Sequence, residues 1–94
     1  MERVELIRER LTTAFEPEHL EIIDDSHRHA GHAGAAGGGG HFTVSIVSRK
    51  FADQNSLARH RLVYQALNDL MPAQIHALSI NAMTPEEHRT KAGL

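Results

Sequence analysis

No cysteine occurs anywhere in the 94 residues of this chain. No disulfide can staple the fold, and no thiolate can serve as nucleophile or metal ligand, a composition at home in a reducing compartment. Long apolar runs are missing too. The first ten residues, MERVELIRER, are charged and amphipathic, which fits neither a signal peptide nor a membrane span. Glu2, Glu5 and Glu9 also argue against a mitochondrial presequence. A cytoplasmic protein of bacterial type, without membrane attachment, is the expectation. Aromatic residues are only 4% of the chain, so platforms on which nucleic-acid bases could stack are scarce. Enzyme signatures are absent as well. Ser26, Ser45 and Ser48 have histidines nearby but no nucleophile elbow or oxyanion loop, and the glycine run at 37–40 lacks the Lys-Ser/Thr ending of a phosphate loop. A chain this short has room for one domain and little for a deep catalytic cleft. A non-enzymatic protein is expected.

What is present belongs to a folded domain: 40% hydrophobic and 23% charged residues. Val4, Ile7, Leu11, Ala14 and Phe15 recur at helical spacing over residues 2–15, and Pro17 ends that helix. Leu20, Ile22 and Ile23 make a short strand closed by Asp24, Asp25 and Ser26. Residues 27–40 are rich in histidine, alanine and glycine, with too little apolar area to pack, and read as a mobile loop. Phe42, Val44 and Ile46 alternate with Thr43 and Ser45 as in a half-buried strand, pairing with the first as an antiparallel hairpin. A second helix runs from Asn55 to Met71, capped by Asn55 or Ser56, with Val63, Ala66, Leu67 and Leu70 inward and Pro72 just past its end. Ile75 to Met83 is a third strand. Thr84 then caps a short helix with Pro85 at its first position. The order α-β-β-α-β-α predicts an α+β two-layer sandwich, a three-stranded sheet with helices on one face. It occupies residues 1–94 as a single domain with a short tail at 89–94.

Charge and histidine are unevenly placed. Residues 1–25 carry eight acids against three arginines, whereas Arg49, Lys50, Arg59 and Arg61 face only Asp53 in residues 49–61. Such a basic helix start can contact phosphates, or it can be a solvated face. The chain as a whole is slightly acidic, so any DNA binding is expected to be weak and local. Of the eight histidines, His27, His29, His32, His41 and His76 could converge at one end of the sheet. Surface histidines in a polar loop need no ligand. A nickel- or zinc-binding loop is a second reading, because His27, His29 and His32 are closely spaced, although not as in a four-ligand structural zinc site. Tyr64 and Val63 need no functional role: Val63 fits the helix core, and Tyr64 packs at its edge with the hydroxyl outward.

Four segments carry a resemblance. Residues 24–29 (DDSHRH), 41–51 (HFTVSIVSRKF), 59–64 (RHRLVY) and 76–80 (HALSI) resemble, in order and spacing, signature segments of the BolA family. With the N-terminal helix the resemblance covers about residues 2–88. The loop at 30–40 is unusually rich in glycine and lacks the cysteine some members carry, so the chain looks like the histidine type. The resemblance implies a fold similar to the type II KH domain, although no GxxG loop lies between residues 55 and 72 to clamp RNA. It also implies a monothiol glutaredoxin as partner, whose cysteine and bound glutathione supply sulfur to a shared [2Fe–2S] cluster. This chain alone would hold no cluster and be a monomer, forming a heterodimer with the glutaredoxin. By position His76 matches the family's strand histidine and His29 its loop histidine, with His41 a rival for the second role. Some members act as transcriptional regulators through a helix-turn-helix-like surface, which would place Arg49, Lys50, Arg59 and Arg61 at DNA.

Overall fold

The computed structural model describes residues 2–25, 40–71 and 75–91. Helix α1 (Arg3–Phe15) buries Ile7, Leu11 and Phe15 along one stripe, flanked by Val4, Leu6 and Ala14. It stops where Glu16 takes a left-handed conformation (φ 44°) and gives its N–H to the Thr12 carbonyl at 3.0 Å. Pro17, next in line, has no N–H with which to continue the helix.

Strand β1 (His19–Asp24) runs antiparallel to β2 (Gly40–Val47), with Leu20 opposite Ile46 and Ile22 opposite Val44. Strand β3 (Ile75–Met83) lies parallel to β2 on its other side, so the sheet is mixed, in the order β1-β2-β3. A parallel neighbour demands a crossover. Helix α2 (Ser56–Ala66) supplies it, capped by the Asn55 side chain, which accepts the Ala58 N–H at 2.8 Å. The glycine- and histidine-rich loop expected before β2 lies outside the described residues, except for Gly40, which opens the strand.

Helix α2 is shorter than its apolar pattern implies. The Leu67 N–H is shared at 3.2 Å between the Val63 and Tyr64 carbonyls, and a 3₁₀ turn over Asn68–Leu70 follows. Asn68 and Asp69 are poor helix formers, and Pro72 disfavours helix at the residue before it. The tighter winding still buries Leu67 and Leu70. Between the layers, Ile7, Leu11 and Phe15 meet Phe42, Val44 and Ile46 of β2, Val63 of α2, and Phe51 of a 3₁₀ turn at Arg49–Phe51. The Phe15 and Phe51 ring centroids are 5.0 Å apart. Buried Ser48 ties the layers: its hydroxyl donates to the Phe15 carbonyl (2.7 Å) and accepts the Lys50 N–H (3.1 Å).

The observed fold is the expected α+β sandwich, with α1 and α2 as its helical layer. Helix α3 (Pro85–Lys91) rests on the opposite, outer face and runs three residues into the segment read as a tail. Thr84 and Glu87 form a reciprocal cap: the Glu87 N–H reaches the Thr84 hydroxyl (3.2 Å), and the Thr84 N–H reaches the Glu87 carboxylate (2.9 Å). Val47 points to that outer face by strand parity, yet is only 2% exposed, because α3 and its approach cover this end. The other end of the outer face is open. No helix among the described residues is long and apolar enough to cross a membrane.

Candidate functional site

The open end is organised by one irregularity in the ladder. Along β2, the step from Gly40 to His41 is a single residue; along β3, the matching step from Ile75 to Ala77 is two. His76 is therefore the extra residue of a β-bulge. In a regular strand it would share parity with Leu78 and Ile80, which face the helices, and would compete for the core. The bulge breaks that parity. Ile75 is fully buried, His76 is exposed, and Ala77 resumes the outward alternation opposite His41. The packing alternative for His76 is thereby removed.

The re-aimed imidazole lies beside that of His41, with ring centroids 5.4 Å apart and planes inclined at 43°. His41 is half-buried, and its carbonyl accepts the Asp25 N–H at 2.7 Å, which carries the β1–β2 pairing one residue past the strand. The Asp25 carboxylate in turn accepts the Thr43 hydroxyl at 2.8 Å. His41 thus stands on hydrogen-bonded backbone, with His76 beside it in β3, at the end of the outer face away from α3. His29, the other candidate ligand, lies outside the described residues with His27 and His32. No cluster of three or more His, Cys, Asp or Glu able to hold a metal occurs among the described residues. Two imidazoles and no thiolate make a donor set that can complete a metal centre held mainly by another molecule.

The basic segment is spent differently. The Arg59 guanidinium donates to the Gln54 carbonyl (2.8 Å), to the Ala82 carbonyl (3.1 Å) and to both oxygens of Glu87 (2.6 and 3.1 Å), and its side chain is 13% exposed. Hydrogen bonds from Arg59, then from the Thr84 backbone, pull the Glu87 carboxyl down to about 2. Arg59 therefore joins α2, β3 and α3, and a phosphate would have to displace a carboxylate to reach it. Lys50 donates to the Ala14 carbonyl (3.1 Å) and lies 3.6 Å from Glu16, and exposed Arg49 lies 3.6 Å from Glu18. Arg61 is exposed on α2. The groove of about 540 Å³ beside Arg49 and Arg59 is walled by Glu18, Asp53, Glu86 and Glu87 as well as Arg89. Its surface is mixed in sign.

Sequence periodicity missed the bulge, since a one-residue offset leaves no compositional mark. It also missed the Arg59–Glu87 pair, whose one local signal is the Thr84-x-x-Glu87 spacing of a capping box. The Tyr64 hydroxyl is not simply outward: it donates to the Leu78 carbonyl (3.3 Å) and covers part of the β3 edge.

Residues 11–87 match the sequence pattern of the family described as BolA-like protein. The chain is 45% identical over 92 residues to Protein BOLA1, chloroplastic, of Arabidopsis thaliana, covering 95% of this chain and 58% of that protein. It is 39% identical to the DNA-binding transcriptional regulator BolA of Escherichia coli (strain K12), covering 88% of this chain and 76% of that one. The chain thus spans little more than half the length of the Arabidopsis relative. The solved structure of BolA1 from Arabidopsis thaliana superposes with a TM-score of 0.80 at 44% identity, over 93% of this chain and 96% of that one.

Proposed function

This chain belongs to the BolA-like protein family, and on that premise we propose that it is an adaptor that binds a monothiol glutaredoxin and shares or receives its [2Fe–2S] cluster. The observation that carries the reading is the bulge, which sets the exposed His76 imidazole 5.4 Å from that of His41. The donor chemistry fits a minor share of a cluster. Imidazole is a known replacement for thiolate at one iron of a [2Fe–2S] centre, and a chain without cysteine must leave the sulfur ligands to its partner. When bound, the cluster supplies one-electron chemistry and a transferable iron–sulfur unit. This chain's part is to offer nitrogen: His76 from a strand-held position, with His41 or His29 beside it. The resemblance to the family implies the glutaredoxin and its glutathione as the source of the rest.

Mixing the purified chain with a monothiol glutaredoxin, iron, sulfide and glutathione should give a heterodimer whose visible circular dichroism differs from that of the glutaredoxin alone. His76→Ala should abolish the difference while His41→Ala reduces it. Stable cluster absorbance and stoichiometric iron in this chain alone, after size exclusion, would overturn the proposal. A second reading, DNA-binding regulation, rests on the relative named as a transcriptional regulator and on exposed Arg49 and Arg61. Weak, salt-sensitive binding through those residues is its expected form.

A further inference from the structure

A second pair of histidines stands at the other end of the same face. His19 opens β1 and His88 sits in the middle of α3, yet their ring centroids are 5.4 Å apart with planes inclined at 41°. Six strand positions along β2 separate this end from His41, about 20 Å at the usual rise, so the two pairs cannot share one ion.

We propose that His19 and His88 bind a divalent transition-metal ion, of the zinc, nickel or copper class, and that the ion pins α3 to the sheet. The spacing suits one ion. With a metal–nitrogen bond of about 2.1 Å the ring centre lies about 3.2 Å from the metal, so two ligating rings at a tetrahedral angle stand roughly 5.2 Å apart. A second observation points to a missing ligand. Among the described residues His88 Nδ1 is shut away from solvent with no hydrogen-bond partner, a costly state for a polar atom. A metal would take up that lone pair. The rings border a cavity of about 230 Å³, to which Glu21 and Asn81 bring oxygens and Lys91 a positive charge that weakens the hold on a cation. No third histidine, cysteine or carboxylate among the described residues completes the set, so water fills the remaining positions and the site is exchangeable. The ligands lie on β1 and α3, so binding favours the state in which α3 is docked.

The test uses zinc chloride and the full chain. A variant with His27, His29, His32, His41 and His76 all replaced by Gln retains this pair and should bind one zinc by calorimetry. Adding His88→Gln should weaken that binding at least tenfold. Equal affinity in the two variants would overturn the proposal. Should the fivefold variant fail to fold, histidine-ring nitrogen NMR of the unaltered chain decides: zinc should move the His19 and His88 signals together, and saturation that leaves both in place would overturn it.

Discussion

The bulge at His76 makes a quantitative demand on the β3 edge. Ile75 is fully buried and faces the core, while His76 is the extra residue and is exposed. Ile75→Ala should therefore cost about 2–5 kcal/mol, the lost transfer energy plus the cavity left behind. His76→Ala should lie within about 0.5 kcal/mol of the parent, as surface changes do. Deleting His76 outright is the sharper perturbation. It would leave Gly40 opposite Ile75 and His41 opposite Ala77 with no offset, so the ladder becomes regular and Ile75 stays inward. Neither flank has to shift along the strand, because Ile75 and Ala77 keep their partners and only the extra residue is lost. A loss below about 1 kcal/mol is expected. Urea unfolding followed by far-ultraviolet circular dichroism measures all three, and an unchanged m-value confirms that the two-state comparison holds. A regular strand without the bulge, with Ile75 outward and His76 inward, reverses the order of the two point variants. An Ile75→Ala change that costs nothing, or a deletion more damaging than Ile75→Ala, would refute the reasoning.

Arg59→Ala should lower the melting temperature by several degrees by freeing α3, whereas Arg61→Ala should leave it unchanged. In a DNA titration only Arg61→Ala should make the log-log salt slope shallower, by about one unit if it contacts a phosphate. Glu87 titrates at about 2 in the folded chain, below its ordinary 4.5, so its stabilising contribution is complete above pH 4.5 and is lost as pH falls through about 2. Glu87→Gln should flatten the acid limb of a stability profile in that window by on the order of 1 kcal/mol, once the screening of a half-exposed carboxylate is allowed for. Ser48→Ala should destabilise by about 1–3 kcal/mol in chemical unfolding, because it leaves the Phe15 carbonyl without its hydroxyl donor inside the core.

The elements were legible wherever one local signal sufficed. Ile7, Leu11 and Phe15 announce a helix by period, Phe42, Val44 and Ile46 a strand by alternation, and Thr84-Pro85 a helix start by capping chemistry. Ile75–Met83 was bounded correctly by its apolar run. The early end of α2 was not, because Leu67 and Leu70 keep their inward positions in 3₁₀ winding and leave the hydrophobic pattern intact. At the site, His41 and His76 were legible as candidates but not as neighbours. Strict alternation assigns His76 to the face of Leu78 and Ile80, and only the register of the ladder shows otherwise. The contact of His19 with His88 spans nearly the whole chain and depends on α3 crossing to the outer face, which no local pattern specifies.

The charge pattern changes meaning most when the chain is folded. In sequence, the acidic first quarter and the basic stretch after β2 look like separate territories, and the second invites a nucleic-acid reading. In space they meet. Glu16 approaches Lys50, Glu18 approaches Arg49, and Glu87 takes up the Arg59 guanidinium. At physiological ionic strength charges are screened beyond about 8 Å, so a phosphate near this surface senses opposite signs at comparable range. Exposed pairs of this kind add little stability, but they remove the uniform positive potential that draws a polyanion. The bulge, by contrast, turns the exposed His76 side chain away from the core and sets its ring centroid 5.4 Å from that of His41. A phosphate therefore meets a surface of mixed sign, whereas the nitrogen donor that we propose asks only for an imidazole turned outward from the strand.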